Sequence, residues 1–468
     1  MKALFYYIIA VIALAFYFIA FNTVESISGD EAYSIFNAQT EFKDIVHLSM
    51  ADQNPPLYLF VLKIWIKCFG ITEMAVRSMS ALFMSSAIVL FFALLRNVFS
   101  QPVALITIFF LSVSYSIVYF AQEVRCYALL LLLCVISLHV LYSYFQHQRI
   151  YKLVLFSFIS VLILLTHYLS VFFLLTVYVT VLFTKDKNTI VKFILTGLFM
   201  LLIISPWLIF VLNNMPKKGE FWLQSPSFNN YYFEWIYMFN SRAVFLFFIL
   251  TLIGYGIYNI FFSSKVKIDS SFNWVLFFSL LSLLPSLMEF SLAQLSPMFI
   301  MRYYLYSILG VTAIISFIIY EVYVFNKWAS GIMAIVLVVF LSIAYSIHPK
   351  KEENWKYIIQ NSKDVLGIYP CYVYPSYKTK EVYYYHNRDY FKAVKTFSEK
   401  DETNKIYPWV NDTLQVDTIA VVLCLEKDDE KYTKINNSIV NQNYHELKRV
   451  EAPNYRGAIL LYVKNKNN

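Results

Sequence analysis

Apolar runs long enough to cross a lipid bilayer recur along most of this chain, separated by short polar connectors, and the pattern stops near residue 347. The runs fall at residues 4–21, 75–95, 103–120, 127–145, 153–166, 169–184, 193–212, 243–262, 272–289, 303–325 and 328–347. A helix rises about 1.5 Å per residue, so about 20 apolar residues cross a hydrocarbon core of about 30 Å, and about 11 spans are expected. Residues 153–184 hold no charged side chain apart from a possible His167. One helix of that length would reach about 48 Å, so the stretch predicts a hairpin of two short spans. Residues 55–70 differ, because Lys63 and Lys67 share one helical face of an otherwise apolar segment that starts at a Pro pair. That pattern predicts an interfacial helix within a first outer loop rather than another span.

The connectors then set an orientation. Arg96, Arg149 with Lys152, Lys185 with Lys187 and Lys192, Lys265 with Lys267, and Lys327 all fall on the side that holds Lys2, which the positive-inside rule makes cytoplasmic. Lys217 and Lys218 fall on the other side and oppose it. The expected location is the plasma (inner) membrane, multi-pass, with a cytoplasmic N-terminus, an uncleaved first anchor and an extracytoplasmic C-terminus. The first outer loop, 22–54, is then acidic, with Glu25, Asp30, Glu31, Glu41, Asp44 and Asp52 against a lone Lys43.

Beyond residue 347 charges of both signs appear and apolar stretches shorten to soluble-domain spacing. Residues 354–366 predict a helix, and 369–374, 418–425 and 458–463 predict strands. The expected organisation is a transmembrane domain over 1–347 and a small α/β extracytoplasmic domain over 348–468. The second holds no phosphate-binding Gly loop or serine-nucleophile motif, and is expected to cover, dock or recognise rather than catalyse.

Composition agrees with this reading. Of 468 residues 59% are hydrophobic, 19% aromatic and only 15% charged, outside the range of soluble globular chains. The net charge of +8 is scattered in short clusters between apolar runs, so nucleic acid is not an expected partner and membrane lipid is. Five cysteines show neither a disulfide framework nor a metal-ligand spacing.

Candidate chemistry gathers at the outer span ends. Asp30 and Glu31 follow the first run, Asp52 precedes Pro55 and Pro56, Gln122-Glu123-Val124-Arg125-Cys126-Tyr127 forms the second outer connection, Thr166-His167-Tyr168 the third, and Glu289, Gln294, Arg302 and Tyr303 belong to the fifth. Each has a bland reading: the arginines as interfacial anchors, His167 as a helix-end residue, Asp52 as a turn former or cap. Their common side argues against independent accidents.

The order Asp30-Glu31-Ala32-Tyr33-Ser34, Asp52-x-x-Pro55-Pro56-Leu57-Tyr58, Gly70 with Arg77 and Ser80, Gln122-Glu123-x-Arg125-x-Tyr127 and Thr166-His167-Tyr168 resembles the protein-mannosyltransferase-like glycosyltransferases. This is the GT-C superfamily, which includes protein O-mannosyltransferases and lipid A aminoarabinose transferases. The chain departs from it at Asn54, where members often carry His before the Pro pair. The resemblance implies a GT-C fold and transfer of a sugar from a polyprenyl-phosphate-linked donor to an acceptor glycan, lipid or protein at the outer face. On that reading Asp30 is the general base and Glu31 orients it or the acceptor, while Asp52 binds sugar hydroxyls. Arg125, Arg302 and His167 supply positive charge to the phosphate, and Gln122, Tyr127, Tyr168 and Tyr303 complete the substrate site. Attack on the anomeric carbon would be a single inverting displacement. No cofactor is obligatory, and a divalent metal stays open because acids beside a phosphate can hold one.

Two other classes compete. A transporter or flippase would suit the many spans, but such proteins favour Gly- and Pro-interrupted helices, and this chain has 10 Gly. A membrane-anchored binding protein would work through its tail and would not require acids and arginines to share one face.

Overall fold

The computed structural model describes residues 2–20, 26–51, 54–184, 186–214, 225–261, 272–346, 354–364, 366, 368–374, 384–385, 395–396, 417–424, 430–441, 443–451 and 457–465. These form two compact units, one of Met1–Thr23 with Asn37–His348, the other of Val24–Phe36 with Pro349–Asn468. The simple division at residue 347 therefore misses one element, since the short stretch after the first apolar run belongs with the C-terminal unit.

The first unit is helical. It is built from α1 (Lys2–Ala20), the C-terminal end of α2 (Gly29–Ala38), α3 (Phe42–Ala51), α4 (Leu57–Phe69), α5 (Glu73–Val98), α6 (Gln101–Ser112), α7 (Tyr115–Phe120), α8 (Tyr127–His147), α9 (Ile150–Thr166), α10 (Val171–Leu182), α11 (Lys187–Asn214), α12 (Phe228–Phe239), α13 (Arg242–Phe261), α14 (Trp274–Ala293), α15 (Ser307–Phe325) and α16 (Lys327–Ser346). Among the described residues every expected apolar run lies mainly in helix, but the run at 103–120 breaks into α6 and α7 and the run at 303–325 starts in a 3₁₀ turn. Among the described residues five helices are long and apolar enough to cross by themselves, or six if α12 and α13, which meet at 103°, form one broken span. Five more apolar helices are shorter, so length alone does not establish the count of about 11. The predicted hairpin is present: α9 ends at His167, whose extended backbone (φ −159°, ψ 123°) breaks the helix before a 3₁₀ turn at Tyr168–Ser170 and α10.

α5 packs on α1, α6 and α8, α8 on α9, α10 on α14, and α14 on α15. Phe18, Phe91, Phe156, Phe173 and Phe193 are fully buried between these helices. α11 by contrast leaves Ile194, Leu195, Leu198, Leu202, Ile209 and Leu212 exposed. In water that stripe would be unfavourable, and against hydrocarbon it costs nothing, as a membrane helix requires.

Three connectors differ from expectation. α4 is the expected helix after the Pro pair, but Lys63 is buried and donates to the Thr40 carbonyl. The ammonium groups of Lys63 and Lys67 lie 5.1 and 5.7 Å from the centre of the Phe42 ring, so their shared face meets α3 rather than water alone. The connector after α11, read only for its lysines, carries α12. α14 runs to Ala293, so Glu289 lies buried within a helix and not in a connector.

The second unit carries a mixed five-stranded sheet of order β2-β1-β3-β5-β4, with β1 (Cys371–Tyr374), β2 (Lys395–Thr396), β3 (Thr418–Leu423), β4 (Tyr444–Glu451) and β5 (Ala458–Lys464). β1 is parallel to β2 and β3, and β5 is antiparallel to β3 and β4. Among the described residues that follow 348, α17 (Trp355–Gln360), capped by the Asn354 side chain, and α18 (Glu430–Val440) accompany it. β1, β3 and β5 match the expected strands and α17 the expected helix. α18 and β4 were not anticipated.

The crossing of α14 and α15 supplies a test. A Cβ built on Gly310 of α15 would lie 2.6 Å from the Ser282 nitrogen and 2.7 Å from the Phe278 oxygen of α14, contacts only backbone movement could relieve. Gly310→Ala is expected to destabilise the membrane unit by about 1–3 kcal/mol. Thermal unfolding in detergent reads this, and an unchanged midpoint would mean the two helices do not approach so closely.

Candidate active site

Within the membrane unit the second and third expected outer connections and the turn before α15 come together. The backbone after α7 is held by Ser80 of α5, whose buried hydroxyl donates to the Glu123 carbonyl at 2.7 Å, and by Arg125 N–H, which donates to the same carbonyl at 2.8 Å. Gln122 is buried and donates to the Val118 carbonyl at 3.3 Å. His167 is fixed from both sides: its N–H donates to Ile163 O at 3.1 Å, and its carbonyl accepts from the Ser170 hydroxyl at 2.5 Å. Tyr168 turns toward α11, where its hydroxyl accepts from Trp207 Nε1 at 3.1 Å.

Arg302 and Tyr303 sit in a 3₁₀ turn, Met301–Tyr304. Glu234 of α12 anchors it, its carboxylate accepting from Met301 N–H at 2.6 Å. The Arg302 guanidinium lies 5.6 Å from the centre of the Tyr303 ring, Tyr303 stands 5.0 Å from the His167 ring, and His167 stands 6.2 Å from Tyr127. Four of the expected site residues thus form one aromatic and cationic cluster. Arg125 joins it electrostatically, since the charges of both Arg125 and Arg302 act on His167.

That position decides the role of His167. Burial, reinforced by the two guanidinium charges, pushes its pKa from 6.5 down to about 3, so the imidazole is neutral at ordinary pH. In this setting the imidazole presents a hydrogen-bonding group, and Arg125 and Arg302 are the cationic groups that act on it. Its buried Nδ1 has no hydrogen-bond partner among the described residues. A ligand entering here would find a polar atom already facing it.

The acid pair belongs to the other unit. Ser28 and Glu31 form a reciprocal cap at the start of α2: the Glu31 carboxylate accepts from Ser28 N–H at 2.8 Å, and Ser28 Oγ accepts from Glu31 N–H at 3.4 Å. Glu31 is fully buried and Asp30 only partly. The two carboxylates are thus unequal, one occupied in building the helix end and the other more accessible. Asp52 lies outside the described residues.

Sequence reasoning passed over Glu234, although an acid inside the aromatic run Tyr231-Tyr232-Phe233-Glu234-Trp235 was a visible signal. It also passed over the cap, for which Ser28-x-x-Glu31 was the signal. Among the described residues no group of three or more His, Cys, Asp or Glu is placed to hold a metal ion.

Residues 53–210 match the family described as dolichyl-phosphate-mannose-protein mannosyltransferase. Among solved structures, ArnT from Cupriavidus metallidurans resembles the chain in the apo state (TM-score 0.52) and bound to undecaprenyl phosphate (0.54), each at 13% identity over 98% of both chains. The Archaeoglobus fulgidus oligosaccharyltransferase, tethered to an acceptor peptide, matches with a TM-score of 0.52 at 10% identity, over 99% of this chain and 74% of its own. No match was found among curated protein sequences.

The neutral His167 leads to a prediction with a definite sign. An unfolded chain takes up a proton on this residue below about pH 6.5 and the folded one does not until about pH 3, so the fold loses stability as pH falls through that window. Between pH 7 and pH 5 the loss from this residue is roughly 2 kcal/mol. His167→Gln removes it, so the drop in unfolding midpoint between those pH values should be smaller in the variant. Equal drops would mean the imidazole is not held neutral.

The family match covers residues 53–210, and over nearly its whole length the chain shares the fold of ArnT and of the archaeal oligosaccharyltransferase.

Proposed function

We propose that this protein transfers a sugar from a polyprenyl-phosphate carrier to an acceptor hydroxyl or phosphate at the outer face of the plasma membrane. The observation that carries this reading is the cluster of Arg125, Arg302, Tyr303, Tyr127 and His167, two guanidinium charges flanking a buried imidazole whose Nδ1 awaits a partner. Such a cluster suits an anionic headgroup with an attached sugar: arginines engage phosphate oxygens through paired hydrogen bonds, and aromatic faces accept a sugar ring. The likeness to ArnT bound to undecaprenyl phosphate supports the same ligand class.

In the reaction, the acceptor attacks the anomeric carbon while the carrier phosphate leaves. Arg125 and Arg302 stabilise the charge that grows on the departing phosphate, and the neutral His167 adds a hydrogen bond without adding charge. Asp30 removes the acceptor's proton as general base, or orients an acceptor that is already an anion. Glu31 holds Asp30 in place through the helix cap. One displacement inverts the anomeric centre, and no covalent intermediate is required. Asp52, Gln122 and Tyr168 complete the substrate site in this scheme, and a divalent cation beside the phosphate is compatible with it.

Transfer from a purified polyprenyl-phosphate sugar, followed at varied donor concentration, tests the scheme. Arg125→Lys or Arg302→Lys keeps the charge but loses the two-pronged contact, and should weaken donor transition-state binding by roughly 2 to 4 kcal/mol, about 30- to 1000-fold. Asp30→Asn should lower turnover with little change in expression. Donor dependence unchanged in both arginine variants would reduce these residues to interfacial anchors, and near-normal transfer by Asp30→Asn would remove Asp30 from the mechanism.

Orientation has its own test. A reporter active only outside the cytoplasm should be active when fused after Lys350 and silent after Lys187. The reverse result would turn the site to the cytoplasmic face.

A further inference from the structure

We propose that Tyr385 of the C-terminal domain is a positioning residue for Asp30, which makes that domain a working part of the transferase rather than a cover over it. The inference rests on the reading of Asp30 as the acid that handles the acceptor.

Ile27 is fully buried, and a buried backbone N–H must be paired. Its partner is the phenol oxygen of Tyr385, at 2.6 Å, contributed from 358 residues further along the chain. The Tyr385 ring is itself placed by the domain core. It packs against the cluster that includes Trp355, Ile358, Leu366, Val373 and Ile459, which joins α17 to the strands β1 and β5. The hydroxyl is therefore held by the packing of the sheet domain.

What it holds is short. From Ile27 the chain passes through Ser28 and Gly29 to Asp30, and three residues span about 11 Å at most. The Ser28–Glu31 cap then fixes the entry into α2, and the Ser34 hydroxyl donates to the Asp30 carbonyl at 3.0 Å. Asp30 thus lies between a backbone anchor supplied by the C-terminal domain and a helix start locked by its own neighbours. The sequence offers a reason for such an anchor. An aspartate beside Gly29 on a short helix has little stiffness of its own, whereas proton removal needs the carboxylate held close to its working position.

Tyr385→Phe keeps the ring and its packing and removes only the accepting oxygen. In the purified full-length protein, hydrogen exchange should quicken in the peptide covering residues 26–36 and stay unchanged in α5 and α8. Transfer should lose about 10- to 100-fold in kcat with donor KM unchanged. A purely structural defect would instead lower the amount of folded enzyme and leave kcat per active molecule intact. Unchanged exchange over 26–36 would show that the hydrogen bond does not anchor this segment. Quickened exchange with kcat within about twofold of wild type would show that the anchor does not serve catalysis. Asp30→Asn, assayed alongside, tests the reading on which the proposal rests: normal transfer by that variant defeats the reading itself, whatever Tyr385→Phe does.

Discussion

Charge at a buried site in a membrane protein has to be positioned by the protein, because there is little water to do it. Arg302 illustrates the constraint. Its 3₁₀ turn is anchored by Glu234, whose carboxylate takes the Met301 amide, and the Arg302 charge also reaches Glu234. α12 is thereby bound to the turn it packs against, and Trp235, fully buried one residue on, lies 5.5 Å from Tyr304 of the same turn. Removing the charge from this place would leave little reason for an acid in the middle of so aromatic a helix. The same demand accounts for Ser80, which reaches from α5 to the Glu123 carbonyl and so holds the loop that carries Arg125.

Two cations near one imidazole bear on which chemistry each residue suits. A histidine that were protonated here would face two guanidinium groups in an apolar environment, a cost burial alone already makes large. The setting favours the proposed division, in which arginine carries charge and histidine a directional hydrogen bond. A histidine held neutral this strongly is poorly suited as a general base at neutral pH, which agrees with the proposed assignment of proton removal to Asp30.

The membrane fold was largely legible because lipid imposes a long, one-dimensional signal. The hairpin at His167 followed from length alone, and the interfacial helix at α4 from its Pro pair and paired lysines. What escaped was set by partners distant in sequence. Lys63 reads as a surface residue until Thr40 is known to take its ammonium, and Glu234 reads as an ordinary connector charge until Met301 is known to need an acceptor. β4 escaped for a different reason: its run Tyr-His-Glu-Leu-Lys-Arg-Val-Glu is mostly exposed and its ladder is interrupted by a bulge between Glu446 and Lys448, so the alternation that marks a half-buried strand is absent.

The acid pair shows how two neighbouring residues of one type come to differ in setting. Asp30 and Glu31 are adjacent and chemically alike, and the one sequence mark that separates them is the Ser28-x-x-Glu31 spacing. Glu31 stands three residues after Ser28, the spacing at which a carboxylate reaches back to a helix-start amide, and burial completes that role. Asp30, one residue earlier, is the more exposed of the two. A short helix that builds its own cap from one acid presents the neighbouring acid in a fixed backbone setting, and it is on that geometry that the proposed role of Asp30 rests.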